Sequence, residues 1–161
     1  MKTINNSLIL MLSTLLLLTL SCSLKRDQSP REINFDRDKC ELCLMGLAEK
    51  NYSAQSVNTH GEVIWFDDLG CLISYMDSPD WEKFGGDEAV SYIADSQTGE
   101  WLNVYDAWFT FGDHTPMGYG YAAHKTKTDS SYNFETTRQR IADGITLREE
   151  FLKAKKMLHH D

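Results

Sequence analysis

The chain has 161 residues, 42% of them hydrophobic, and a formal net charge of −8. That length supports one compact domain or two very small ones sharing a core, and it needs no staple merely to fold. The acidic balance argues against a nucleic-acid binder and against electrostatic attachment to anionic lipid.

At the start, Lys2 is followed by the apolar run "SLILMLSTLLLLTL" and then "SCS". The run falls short of the roughly 18 to 20 residues a spanning helix needs and suits the core of a secretory signal. Ser21 before Cys22, with Leu18 and Leu20 just upstream, reads as a bacterial lipoprotein box; the plainer alternative is an ordinary signal peptide with a chance cysteine. Residues 1–21 are then the signal, and Cys22 is the lipidated first residue of the mature protein. Two or more acyl chains, at about 0.8 kcal/mol per buried methylene, hold a protein stably on a membrane. Ser23 is not the acidic residue associated with inner-membrane retention, which favours the outer membrane. Residues 22–37, charged, aperiodic and containing Pro30, read as a flexible tether. The folded domain is expected over 38–161.

Within that domain, "YSAQSVNTHGEVIWF" (52–66) reads as a hairpin turning at Asn58-Thr59-His60-Gly61. Leu69, Leu72, Ile73 and Met76 then fall at helical spacing, with Asp67 or Asp68 as the N-cap. "SPDWEKFGG" reads as a loop and "EAVSYIA" as a strand, so residues 38–99 form a first β-β-α-β unit. Residues 100–161 suggest a second: strands over 100–112 and 118–125 about the turn "DHTPMG", a helix ending at Gly144, a short strand "ITL", and a closing helix from Arg148. The expected class is α+β, with two small β-β-α-β units sharing a core. Trp65, Trp101 and Trp108 read as core or rim aromatics. His124, His159 and His160 have no assigned role.

The chemistry concentrates in "CELCLM", residues 40–45. With Cys22 taken by lipid, Cys40, Cys43 and Cys71 remain, an odd number outside the cytoplasm, where pairing is the rule. Three chemistries could use Cys40 and Cys43. A thiol–disulfide oxidoreductase would place the pair at a helix N-terminus; here it precedes a hairpin. A zinc-stabilised interaction module would need Cys71 and a histidine besides. Cu(I) takes two or three soft donors and accepts thioether sulfur, and Met45 points that way. If the segment is extended, positions 43 and 45 face one side. Met117 lies in "HTPMGYG", where Pro116, Gly118 and Gly120 stiffen and reverse the chain; it is a third candidate ligand or an apolar plug. Cys40 and His114 are further candidates. Cys71, near the helix start, reads as a small core residue. No motif for nucleotide, haem or nucleophilic-serine chemistry is present in the sequence.

"CELCLMGLAEKNYSAQ", "WFDDLGCLISYM" and "WLNVYDAWFTFGDHTPMGYGYAAH", together with the lipobox, resemble the NosL family of copper-binding accessory lipoproteins for nitrous oxide reductase. The likeness covers most of residues 38–124 and adds nothing beyond about 125. It implies two β-β-α-β units and a non-enzymatic Cu(I) chaperone on the periplasmic side. It also implies, as partner, the copper-receiving assembly complex of the reductase. By position, Cys43 and Met45 match the family's Cys-Gly-Met, and Met117 matches the methionine of Thr-Pro-Met-Gly. Leu44 stands where the family has glycine.

Overall fold

The computed structural model describes residues 26–158, so the signal over 1–21 and Cys22 lie outside the described residues. A four-stranded antiparallel sheet organises the first part, in the order β2-β1-β3-β4. Its strands are β1 (Ala54–Val57), β2 (Val63–Phe66), β3 (Val90–Ala94) and β4 (Trp101–Asn103). β1 and β2 form the expected hairpin. The Asn58 side chain accepts from the amides of His60 and Glu62, and Gly61 takes φ 75° at the turn.

The pairing register sets one face apolar. Phe66, Ala54, Ile93 and Leu102 lie opposite one another in a row across the sheet, and all four belong to the main core. Helix α1 (Leu69–Met76) buries Leu69, Leu72, Ile73 and Met76 in the same core, the set that the helical spacing picks out. Asp68 caps it by accepting from the Gly70 amide.

The other face carries Gln55, which is fully buried. Its amide pairs with the backbone of Arg31 in both directions, at 2.7 and 2.9 Å. Gln28 likewise donates to the carbonyls of Val57 and Glu88, and Tyr92 donates to that of Gln28. Residues 26–37, assigned from their composition to the tether, are thus strapped to the sheet from Arg26 onward. A buried amide with both halves satisfied can recruit a polar segment that has no apolar periodicity.

Three stretches within residues 38–161 differ from the sequence expectation. "SPDWEKF" is not a loop: Pro79–Phe84 form helix α2, entered through Ser78 and Pro79 with Asp80 and Glu82 in its first turn, an N-terminal pattern the sequence does carry. Trp101–Asn103 joins the first sheet rather than continuing into the next strand, because the Asn103 side chain accepts from the Tyr105 amide and turns the chain. The second sheet is therefore only the hairpin of β5 (Trp108–Phe111) and β6 (Tyr121–His124), extended by a bridge between Phe109 and Tyr132. Finally, "ITL" forms no strand. Helix α3 (Phe134–Ala142) stops at Gly144 (φ 74°) with Ile145 donating back to the Arg140 carbonyl, a Schellman closure. Thr146 then accepts from the Glu149 amide and opens helix α4 (Leu147–Leu158). The α+β class holds; the first unit gains Trp101–Asn103 and the helix Pro79–Phe84 beyond the expected β-β-α-β, and the chain ends in two helices.

The two sheets are joined through Asp95, which accepts from the amides of Gln97, Thr98 and Lys125. Burial pushes its carboxyl up, but those amides outweigh burial and hold it below the usual range. Among the described residues no helix is long and apolar enough to cross a membrane.

Candidate metal centre

The strap ends where β2 ends. Cys40 forms a bridge with Trp65, and the Glu41 amide donates to the Trp65 carbonyl at 2.7 Å. This lays Cys40 against the edge of the sheet. The loop beyond it closes on itself: the Cys40 amide donates to the Met45 carbonyl at 2.8 Å, and the Leu44 amide to the Cys40 carbonyl at 2.9 Å. Three residues past Trp65, Asp68 turns the chain into α1, and Cys71 sits in the first turn of that helix. The Sγ atoms of Cys40, Cys43 and Cys71 consequently lie within 4.8 Å of one another, all as free thiols.

Cys40 and Cys71 are buried, at 0% and 1% exposure, while Cys43 is partly open. Their proton affinities diverge. The Cys71 S–H donates to Cys40 and, against the opposing effect of burial, brings the Cys40 thiol down to about 5, helped by the backbone amides of Cys43 and Asp67. Cys71, as that donor and as a buried group, is pushed far up. Burial raises Cys43 as well, and so does its neighbour Cys40. The cluster thus sets one more acidic thiol beside two that hold their protons more tightly. A soft cation entering it would replace the thiol protons and take up the sulfur charge.

The second candidate segment stands on the same helix. Thr115 to Gly118 form a tight turn, closed by the Gly118 amide on the Thr115 carbonyl at 2.9 Å. Pro116 sits where a fixed φ suits the turn. Asp68, besides capping α1, accepts from the Thr115 hydroxyl at 2.5 Å and the Met117 amide at 3.1 Å. Met117 is half-buried and packs against the core, as does Cys43.

The structure therefore brings together Cys40 and Cys43, and adds Cys71, which the sequence suggested was only a core residue. It is both: a small buried side chain and the third thiol. The odd cysteine count was the available signal. Met45 remains 48% exposed. The extended geometry that would put it beside Cys43 is absent, because residues 41–43 turn and Leu44 takes φ 63°. His114 is exposed on the groove between its turn and α4. Among the described residues the thiol group has no histidine or carboxylate member. The role of Asp68 in gripping the Met117 turn has no local signature, since its partners lie 47 and 49 residues away.

No protein-family model matches the chain, and no curated protein matches it. Among solved structures it is similar to the crystal structure of the copper chaperone NosL from Shewanella denitrificans. The two share 18% identity, with 68% of this chain and 96% of that one covered at a TM-score of 0.52. At that identity the likeness is one of architecture, and the chain has a NosL-like fold.

Proposed function

We propose that this protein is a Cu(I) chaperone of the extracytoplasmic face, a binding protein that carries copper and turns nothing over. The observation that carries the reading is the group of three free thiols within 4.8 Å, two buried and one at the surface. Sulfur-only sites of low coordination number suit Cu(I), which is satisfied by two or three soft donors. The likeness of fold to a copper chaperone supports it. Holding scarce copper calls for a dissociation constant near picomolar, roughly −16 kcal/mol. Release then occurs by ligand exchange, and Cys43, the accessible thiol, is where an incoming donor attacks first. Met117 is the thioether of the site and Met45 an outer donor on the exit side. Lipidation at Cys22 anchors the protein on the periplasmic side, most simply at the outer membrane, and the recipient is the assembly complex of nitrous oxide reductase.

The competing chemistries fit the geometry less well. A catalytic thiol must be both reactive and reachable, yet the acidic thiol here, Cys40, is fully buried, and the reachable one, Cys43, is raised. A structural zinc site would call for a fourth donor, and the thiol group offers three.

The test is an anaerobic competition titration of the reduced protein with Cu(I) against a coloured chelator, with Zn(II) in parallel. One tight Cu(I) equivalent with feeble zinc binding is expected. Met117→Ala weakens that binding while leaving the circular dichroism unchanged. Zinc bound more tightly than copper would overturn the proposal.

A further inference from the structure

Asp68 is fully buried. Taking a carboxylate out of water costs several kcal/mol unless its oxygens are satisfied, and capping a helix does not require a buried one; a surface serine or asparagine suffices. Here a single amide, that of Gly70 at 3.3 Å, belongs to the cap. The other contacts come from the distant turn: the Thr115 hydroxyl and the Met117 amide both reach Oδ2. Thr115 passes the constraint on, its Oγ accepting from the Gly120 amide at 3.1 Å. Behind this contact the Tyr119 ring occupies the space where a side chain at Gly70 would stand, with ring atoms 2.1 to 2.3 Å from an ideal Cβ. The turn that carries Met117 is therefore seated directly on the first turn of α1, the same turn that carries Cys71.

We infer that Asp68 is a positioning residue for the metal site, one carboxylate that fixes the Met117 thioether relative to the Cys71 thiol. The inference rests on the copper reading above and deepens it. The thiols do not depend on Asp68 alone, because the loop that carries Cys40 and Cys43 is held by its own backbone bonds, from Glu41 to Trp65, from Cys40 to Met45 and from Leu44 to Cys40. Asp68 acts on copper through Met117.

The test uses Asp68→Asn. The amide oxygen can still accept from Gly70, but its NH2 group then faces the Met117 N–H, and two donors cannot bond. Outer partners of metal ligands typically alter affinity about 10- to 100-fold when lost, and that weakening of Cu(I) binding is expected here. Met117→Ala is expected to do the same, and the double variant to bind no more weakly than either single. X-ray absorption should show the copper losing one sulfur neighbour in each of the three variants. Wild-type affinity in Asp68→Asn, or losses that multiply in the double variant, would overturn the inference while leaving the copper site standing. Absence of tight Cu(I) binding by the wild-type protein would overturn the chaperone reading itself. Should Asp68→Asn fail to fold, Thr115→Val removes the hydroxyl at the same contact and runs the same cycle with the same criteria.

Discussion

Two loops present the candidate donors, and they are held by different means. The 40–45 loop is fastened by main-chain bonds, from Cys40 to Met45, from Leu44 to Cys40 and from Glu41 to Trp65. The 115–120 turn closes on a main-chain bond as well, but its attachment to α1 is made by side chains: Asp68, Thr115 and the Tyr119 ring over Gly70. Main-chain fastening tolerates many side chains but requires a particular backbone shape. Side-chain fastening tolerates little substitution at its few contact points. The first loop should therefore respond to changes in conformational preference, and the second to changes in size or hydrogen bonding.

The largest effect is expected where the two loops meet the helix between them. Cys71→Ser keeps the volume of a buried residue but replaces a soft donor with a hard, reluctant one. Losing a thiolate ligand should cost more Cu(I) affinity than the roughly 100-fold upper range for outer partners, and more than Met117→Ala, which removes an uncharged thioether. Competition titration checks both. If Cys71→Ser binds Cu(I) as the wild type does, Cys71 is only the core residue its sequence position suggested.

Next comes Gly70→Ala. A methyl group there meets the Tyr119 ring at 2.1 Å, so ring and turn must both move. Overpacking of this kind costs about 1–3 kcal/mol, and denaturant unfolding should show it. Because the displaced turn carries Met117, Cu(I) affinity should fall together with stability. A loss of stability with unchanged affinity would mean that the turn and the thiols are not coupled.

Legibility in the sequence follows the same division. Whatever depends on neighbours along the chain could be read: the hairpin at Asn58–Gly61, the apolar face of α1, its cap at one of Asp67 and Asp68, the stop at Gly144. The Ser-Pro-Asp opening of α2 and the Thr146-to-Glu149 spacing before α4 were equally local, but each was outweighed by a competing pattern, Gly85-Gly86 in the first case and the β-prone Ile145-Thr146 in the second. What depends on register across the sheet could not be read. Nothing near Cys40 says that it will bridge Trp65, and without that bridge Cys71 has no reason to meet it. The strap over 26–37 is a similar case, decided by the buried amide of Gln55. In the candidate site, the thiol pair and Met117 were visible as residue types. The convergence of that pair with Cys71 was not.

The smallest effect sharpens the contrast most directly. Leu44 takes φ 63°, the left-handed region, and it is the one non-glycine residue to do so among the described residues. An L-residue there costs roughly 1–2 kcal/mol. Its side chain recovers little of that cost, being 72% exposed. Glycine at this position removes the steric cost but loses about 0.5–1 kcal/mol more chain entropy on folding than a residue with a side chain. Leu44→Gly should therefore stabilise the protein by somewhat under 1 kcal/mol, raising Tm by a few degrees. Cu(I) affinity should stay as it was, because the substitution keeps the backbone shape and touches no sulfur. The reverse outcome, a lower Tm with weaker copper binding, would mean that the Leu44 side chain itself holds the loop closed. The 40–45 loop would then depend on side chains as the Met117 turn does, and the distinction between the two would fail.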